Sequence, residues 1–383
     1  MMQADFTVFG ADERRAAPPG MSRLPPEVAA RAVWVPSFVD LQCEPGFPGF
    51  PVRENPASLA AAALAGGFGD LLLSPHVDPV LDTPEQLARA NTLARGPRLH
   101  FAAALTAGLA GVELSEVGLL QRAGAVALSD GGLPMENSIV LRNALEYAAE
   151  FAMLVLLRPA DAALDRLGVA NDSPLACRLG LRGNPAATEE IGVARAIALC
   201  RATRARVHLT HIGTARGAEA LAAAISEGLP ITGTTAARNL LLDETSLDDG
   251  RYDTRLRLHP PLRTAADRDG LIAAVRAGTL MIAADHQPRA PEEKEHEFER
   301  AVAGSAGLRS AFGAALLALG DLATVVHALS TAPAMLLGLP SRGWVLVDPE
   351  ETPLHLPERG VAADALEGRR LRGSVLATLP PVR

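Results

Sequence analysis

The chain has 383 residues, of which 48% are hydrophobic, and it carries a formal net charge of −8. This length is enough for one large domain or two modest ones with a sizeable buried core. The negative charge argues against a general nucleic-acid binder. No stretch reaches the run of about 18 apolar residues that a membrane-spanning helix needs, so we expect no membrane association.

The three cysteines, Cys43, Cys177 and Cys200, are odd in number and far apart in the sequence. This usage is typical of free thiols in a reducing compartment. The N-terminus also lacks the basic and then apolar pattern of a secretory signal, so we expect a cytoplasmic protein. Lys294 is the only lysine, which leaves no lysine at the end of a predicted strand to be carbamylated as a metal bridge.

Short apolar runs alternate with helical patterns along most of the chain. The predicted strands are residues 38–41, 71–73, 99–103, 125–128, 153–157, 207–210, 231–234 and 279–284. The predicted helices are residues 26–33, 57–65, 83–92, 138–151, 189–204, 216–227, 266–277, 310–320 and 322–329, with 113–123 either helix or loop. Two polar excursions, 159–188 and 243–263, interrupt the alternation.

Eight strands that alternate with helices predict an α/β protein, a (β/α)₈ TIM barrel with a parallel sheet. We assign residues 36–340 to this barrel. The short β-like pieces of residues 341–383 are expected to pair with residues 1–35 into a small flanking β-subdomain.

The first predicted strand ends in Asp40-Leu41-Gln42-Cys43-Glu44, and Pro45-Gly46 then forces a turn. A (β/α)₈ enzyme keeps its chemistry at such strand ends. A metal site on an extended strand would need two imidazoles at i and i+2, so that both point the same way. This stretch contains no histidine.

Other predicted strands also end in polar residues, and a barrel brings these ends together at one mouth. A lone aspartate or histidine at such a position is more often a turn or capping residue than a functional one. Convergence favours His211 and Asp285 as a functional pair. His208 is three residues before His211 and therefore points to the opposite face of the strand. The strand-end residues are Gln42, Asp130, Arg158, His211, Thr234 and Asp285.

These strand ends, in this order, resemble the cyclic amidohydrolases, and the dihydroorotases most closely. The similar pieces are residues 36–40 with 44–46, 60–68, 129–132, 210–214, 239–242, 259–263, 284–288 with 293–294, 307–308 and 331–339. The family's first strand continues as D-x-H-x-H-x-R-E-P-G, whereas here Gln42 replaces the first metal histidine. The second histidine and the substrate-binding arginine are absent.

Further positions depart from the family pattern. Arg158 replaces the histidine ligand of the fifth strand, and His76 and His259 replace two asparagines, of which the resemblance implies the first binds substrate. Arg238 and Asn239 replace the two histidines of a P-H-H-L segment, and Arg289 replaces the last histidine of the D-H-A-P-H loop. His211, Asp285 and Asp130 survive, the last as the possible counterpart of a bridging carboxylate.

The departures predict that no cofactor is bound, because an arginine is permanently charged and only donates hydrogen bonds. We hypothesise that Arg158 replaces the metal electrostatically by pairing with Asp285 or Asp130. The leading interpretation is a catalytically inactive dihydroorotase homologue. The resemblance then implies a non-catalytic subunit that assembles, as a homo-oligomer, with the aspartate carbamoyltransferase catalytic chain of pyrimidine biosynthesis. The excursions and the tails are its expected contact surfaces.

Two alternatives stay open at this point. The first is an active, divergent amidohydrolase that holds one zinc through His211, Asp285 and Asp130 and acts on a cyclic amide other than dihydroorotate. The second is a metal-free sensor that binds a small molecule in the same pocket.

Overall fold

The computed structural model describes residues 5–10, 13–16, 24–93, 96–339, 342–356 and 363–381. Parts of the predicted terminal segments 1–35 and 341–383 therefore lie outside the described residues. The boundaries predicted between these segments and the barrel stay predictions.

The strands, in chain order, are β1 (Asp5–Val8), β2 (Arg14–Ala16), β3 (Val33–Pro36), β4 (Phe38–Cys43), β5 (Phe68–Leu73), β6 (Arg98–Ala104), β7 (Ala127–Ser129), β8 (Leu154–Leu157), β9 (Ala170–Asn171), β10 (Gly183–Asn184), β11 (Arg206–Leu209), β12 (Ile231–Ala236), β13 (Met281–Ala283), β14 (Trp344–Asp348) and β15 (Ser374–Leu379).

The α-helices are α1 (Pro26–Arg31), α2 (Pro56–Gly66), α3 (Pro84–Asn91), α4 (Val117–Arg122), α5 (Ser138–Glu150), α6 (Ala162–Asp165), α7 (Pro174–Arg178), α8 (Ala187–Thr203), α9 (Ala215–Ser226), α10 (Ala265–Arg276), α11 (Pro291–Lys294), α12 (Ala311–Leu319), α13 (Leu322–Val326) and α14 (Ala332–Leu337). Shorter 3₁₀ turns cover Ala107–Leu109, Ala237–Leu240, Glu244–Leu247 and Thr254–Leu256, and a π-helical turn covers His327–Thr331. None of the described helices is both long and apolar enough to cross a membrane.

Eight parallel strands form the central sheet in the order β13-β12-β11-β8-β7-β6-β5-β4. The first and last strands meet at one end, where Cys43 and His286 form a parallel bridge. The predicted (β/α)₈ barrel is thereby confirmed as a nearly closed barrel. Because the strands are parallel, all their carboxyl ends open on the same mouth.

A second sheet, of five strands in the order β15-β14-β3-β1-β2, flanks the barrel. It joins strands from both ends of the described chain, since β14 pairs with β3 as well as with β15. Trp34 is fully buried between its strands. This sheet is the small flanking β-subdomain that we predicted from the β-like pieces of the two terminal segments.

The core has two layers, one inside the barrel and one between the strands and the surrounding helices. Inside the barrel, Val39, Leu41, Leu72, Leu154 and Leu156 are at most 4% exposed and form one cluster. The alternate residues of the same strands face outward and pack under the helices. Because the interior is filled in this way, we expect a ligand at the mouth, where the strand ends line a cavity.

Local signals explain most helix starts, and a few predicted limits shift. Asn55, Thr83 and Thr264 each cap a helix through a reciprocal capping box. The eighth predicted strand, 279–284, is shorter in the structure, because the amides of Thr279 and Leu280 bond back to Ala274 at the end of α10.

A buried carboxylate joins the first strand to the last. Oδ1 of Asp40 accepts hydrogen bonds from the backbone amides of Ala284, at 2.9 Å, and Gln42, at 3.4 Å. Oδ2 has no partner among the described residues. Burial raises the pKa of Asp40 to about 6, although both hydrogen bonds favour the ionised form. Asp40 therefore stabilises the barrel closure best when it is protonated.

This pKa predicts how stability changes with pH. Below its ordinary pKa of 3.8 Asp40 is protonated in both states, and its favourable contribution is lost as pH rises through about 6. In Asp40→Asn this component is absent, so the free energy of unfolding of the variant, relative to that of the natural chain, should rise by roughly 2 kcal/mol between pH 4 and pH 7. Urea denaturation at several pH values measures the difference.

The exposed Asp249→Asn is the matched control and should show no such gain. A constant stability difference between Asp40→Asn and the natural chain across that pH range would contradict the role given to Asp40.

Candidate functional site at the barrel mouth

A cavity of about 180 Å³ opens where the barrel strands end. Apolar residues of the barrel interior, such as Leu41, Leu72 and Leu156, line part of it. Polar side chains from the strand ends and the loops beyond them line the rest. They are Gln42, Glu44, Ser74, His76, Ser129, Arg158, Thr210, His211, His259, Gln287 and Arg289.

His211 and Asp285 are brought together by the ends of β11 and β13. Nε2 of His211 lies 3.1 Å from Oδ1 of Asp285, and both side chains are nearly buried. Both residues also have positive φ angles, 58° and 50°. Such backbone strain in residues other than glycine concentrates at functional sites. The predicted pairing of His211 with Asp285 is therefore present in the structure.

Asp285 is held ionised by a dense set of donors. Burial opposes ionisation, yet the charges of Arg238 and His211 and the hydrogen bonds from His211 and Gln287 hold the pKa of Asp285 well below its usual range. Because the carboxylate is ionised, Nε2 of His211 carries the proton that it donates. Nδ1 of His211 then has no hydrogen-bond partner among the described residues.

The guanidinium on Asp285 belongs to Arg238. Its Nη2 pairs with Oδ2 of Asp285, and its Nη1 donates to the backbone carbonyl of the same residue at 2.9 Å. Arg238 follows β12 in a 3₁₀ turn and is 5% exposed. Asn239 lies in the same turn, is partly exposed and does not line the cavity.

The hypothesis that Arg158 pairs with Asp285 or Asp130 was wrong. Its guanidinium forms a bidentate pair with Asp165, and its Nε donates to the carbonyl of Gly132 at 2.6 Å. The reason is local: helix α6 follows β8 closely and ends at Asp165, which offers a nearer carboxylate. Only the backbone amide of Arg158 reaches Asp130, at 2.8 Å.

Asp165 also binds His259, whose Nε2 lies 3.0 Å from Oδ2. Burial raises the pKa of Asp165, but the hydrogen bonds from His259 and Arg158 outweigh it and hold this pKa well below its usual range. Arg158 and His259, two of the positions that depart from the family pattern, are thus coupled through a carboxylate that sequence reasoning had not singled out.

Asp130 stands apart from the His211–Asp285 pair. Its two oxygens accept from the backbone amides of Gly132 and Arg158. Burial raises its pKa to about 6, against these hydrogen bonds and the charges of Arg158 and His211. Asp130 therefore shapes the turn after β7, and the structure does not join it to His211 and Asp285 in a metal-binding group.

Gln42 is bound into the barrel interior. Its Oε1 accepts from Oγ1 of Thr234 at 2.5 Å, and the same hydroxyl lies 3.2 Å from Nε2 of His208. Burial lowers the pKa of His208 to about 3, with a smaller contribution from His211, so His208 is neutral. His208 faces the barrel interior, and the structure does not place it with His211 in a metal-binding group of described residues.

The remaining predicted positions lie on the rim. Arg289 is 7% exposed and contacts Glu44 at 3.5 Å, and His76 lies 3.9 Å from the same carboxylate. His286 turns away from Asp285 and bonds Glu54 at 2.8 Å. Glu54 and Asp165 carry no sequence signal by themselves, because each is an acidic residue in a loop or short helix.

The eight-stranded barrel and its polar mouth define a protein of the cyclic amidohydrolase fold class. The structure matches L-hydantoinase (dihydropyrimidinase) from Arthrobacter aurescens with a TM-score of 0.79, over 97% of this chain and 92% of that one, at 16% identity. It matches D-hydantoinase from a Thermus species with a TM-score of 0.77, over 98% and 93%, at 19% identity. At these identities the likeness shows the fold alone.

Sequence relatives identify the family. Residues 32–216 match the family described as Dihydro-orotase-like. A protein of Anaeromyxobacter dehalogenans named Dihydroorotase is 38% identical over 323 residues, which is 82% of this chain and 75% of that protein. One of Thermus aquaticus with the same name is 36% identical over 371 residues, 90% and 86% of the two chains. The chain belongs to the dihydroorotase family.

These relatives correct two of the expectations. An inactive structural subunit that is not an enzyme was predicted, but proteins 34–38% identical over most of the chain are named as an enzyme. The prediction of no activity rested on single ligand positions, and it gave too little weight to the rest of the site. The findings favour the first alternative, an active cyclic amidohydrolase.

The expectation of a chain without a cofactor was wrong for the same reason, since the family pattern includes metal histidines and the relatives carry an enzyme's name. The described residues do not fit the metal as they stand. Among them, no group of three or more His, Cys, Asp or Glu side chains is placed to hold an ion. Asp285 is engaged by Arg238, so no step of the chemistry below is assigned to a metal.

The Arg238–Asp285 pair predicts a competition. A divalent ion at Asp285 would have to displace a guanidinium that cannot lose its charge. Replacing Arg238 by methionine should therefore raise the affinity for Zn²⁺ at least about tenfold, which corresponds to ~1.4 kcal/mol of relieved repulsion. Competition against a fluorescent zinc chelator measures the affinity.

The exposed Arg201→Met is the matched control and should bind zinc as the natural chain does. Adding Asp285→Asn to Arg238→Met should abolish the gain. Equal zinc affinity for Arg238→Met and the natural chain would show that Arg238 does not oppose a cation.

Proposed function

We propose that the chain is a cyclic amidohydrolase that opens a cyclic amide or ureide in the barrel-mouth cavity. The observation that carries the proposal is the His211–Asp285 pair, held at the ends of two barrel strands with strained backbones. The membership of the dihydroorotase family supports it.

The pair supplies a proton acceptor. Asp285 orients the imidazole through Nε2 and stabilises its charged form. Nδ1 is the nitrogen without a partner among the described residues, and it is closed to solvent in this structure, so the ring must turn toward the cavity before Nδ1 takes the proton of an attacking water. The water oxygen bonds to the ring carbonyl carbon, and the carbon–nitrogen bond of the ring breaks. The proton passes from His211 to the departing ring nitrogen. Arg238 keeps Asp285 ionised throughout, because its own charge is permanent.

The volume and the lining residues of the cavity restrict the size and the chemical class of the substrate. Its volume of about 180 Å³ suits a single small ring with modest substituents. The substrate-binding arginine of the family is missing from the first strand, and the family's two asparagine positions are His76 and His259. The substrate is therefore a small cyclic amide, and the family name alone does not make it dihydroorotate.

His211→Asn tests the chemistry. Losing the proton acceptor should lower kcat for ring opening by about 10²- to 10⁴-fold, which is the usual contribution of a positioned base. The purified chain is incubated with dihydroorotate, dihydrouracil and hydantoin, and the ring-opened products are quantified by liquid chromatography. Circular dichroism checks that the variant is folded.

His327→Asn changes an exposed histidine of the π-helical turn that does not line the cavity, and this variant should keep the natural kcat. A natural chain that opens none of the three rings, or a His211→Asn variant with unchanged kcat, would contradict the proposed function.

The predicted partner and compartment complete the proposal. Assembly with an aspartate carbamoyltransferase catalytic chain, as a homo-oligomer within that complex, stays a prediction from the resemblance. If the two purified chains associate, light scattering after size-exclusion chromatography will show a species heavier than either chain alone. A cytoplasmic location also belongs to the proposal, supported by the three free cysteines.

A further inference from the structure

A second histidine directly follows Asp285 and takes no part in the chemistry assigned above. The ring of His286 lies between Glu54, whose Oε2 is 2.8 Å from its Nε2, and the backbone amide of Gly307, which donates to its Nδ1 at 3.2 Å. Because Nδ1 accepts this hydrogen bond, Nε2 carries the proton and donates to Glu54. The side chains of His286 and Glu54 are 1% and 2% exposed, and neither lines the cavity. The pair therefore supports the site from behind.

The backbone of His286 is fixed as well as its ring. Its amide donates to the carbonyl of Gln42 at 3.1 Å, and its carbonyl accepts from the amide of Glu44 at 2.8 Å. These bonds flank the parallel bridge that His286 forms with Cys43 where the barrel closes. The strand β4 and the loop that follows it therefore hold both the backbone and the ring of His286.

Asp285 needs such support because its own backbone is strained. Its φ of 50° lies in the left-handed region, which persists only where the surrounding structure over-determines it. Arg238 binds the carboxylate and the backbone carbonyl of Asp285 on one side. His286 holds the next residue of the chain on the other side. Together they set the direction in which the carboxylate of Asp285 meets Nε2 of His211.

We propose that Glu54, acting through His286, is a positioning residue that fixes the turn at Asp285 and with it the hydrogen bond between Asp285 and His211. Glu54 immediately precedes Asn55, which caps helix α2, so the histidine is anchored to the start of a barrel helix. The inference deepens the proposed function and rests on it where turnover is concerned. The hydrogen bond can be measured whether or not a ring is opened.

A spectroscopic signature of that hydrogen bond tests the inference without turnover. A proton held between an imidazole nitrogen and a nearly buried carboxylate gives a low-field ¹H NMR resonance in protein labelled with ¹⁵N-histidine, and its loss in His211→Asn assigns it. Glu54→Leu removes the acceptor for His286 and should abolish the His211 resonance, because Asp285 is no longer held in line with Nε2. Glu54→Gln keeps an oxygen that accepts from the same imidazole and should retain the resonance.

Turnover provides a second measurement. Glu54→Leu should lower kcat for ring opening by about tenfold to hundredfold with KM unchanged, because a misplaced proton acceptor slows the chemical step while the cavity wall is untouched. Glu54→Gln should restore most of the natural kcat. Asp348→Leu is the matched control, since it removes a buried carboxylate from the ion pair with Arg31 in the flanking sheet, outside the cavity. It should keep both the resonance and the natural kcat.

A second variant covers the case in which Glu54→Leu does not fold. Glu54→Leu combined with His286→Leu leaves neither partner of the buried pair alone. This double variant should also lose the His211 resonance, because the ring that anchors the turn is gone. Circular dichroism checks the fold of each variant.

The outcomes separate the positioning role from the proposed function. Loss of the resonance in Glu54→Leu, with retention in Glu54→Gln, supports the role even where no ring is opened. An unchanged resonance in Glu54→Leu overturns it, and so does an equal loss in Asp348→Leu, which would reflect a general loss of stability. A natural chain that opens none of the rings contradicts the proposed function, and the NMR result still decides the role of Glu54.

Discussion

The buried ion pair of Arg238 and Asp285 is the interaction on which the mouth of the barrel depends. Both side chains are almost inaccessible to water, and breaking such a pair by removing one partner typically costs about 3–5 kcal/mol. Their contact joins the turn after β12 to the end of β13, and Asp285 passes the constraint on to His211. The strained backbones of His211 and Asp285 persist because this network holds them on both sides.

The same arrangement recurs across the mouth with a second carboxylate. Asp165 receives Arg158 and His259 as Asp285 receives Arg238 and His211. In each case an aspartate is held ionised behind basic side chains, of which at least one reaches the cavity. Asp165 and Asp285 lie behind these basic side chains, whereas the carboxylate of Glu44 lines the cavity itself.

Several departures from the family pattern are physically linked. Asp165 binds both Arg158 and His259, and Oε1 of Gln42 accepts from the hydroxyl of Thr234, which also contacts His208. Considered one by one, these residues had indicated a loss of function. Their contacts show that each of these side chains lines the cavity and is held by hydrogen bonds to its neighbours. This difference explains why counting missing ligands led to the wrong conclusion about activity.

The sequence by itself determined the barrel and the polar strand ends, because alternating apolar runs and turn residues act locally. The family was indicated by a resemblance of the strand-end motifs. The sequence also predicted the meeting of His211 and Asp285, since parallel strands must end at one mouth. Only the tertiary structure decided which carboxylate each arginine binds. Arginine side chains are long and their partners come from loops far apart in the chain, so Arg238 rather than Arg158 reaches Asp285, and Asp165 acquires a role that its sequence position does not indicate.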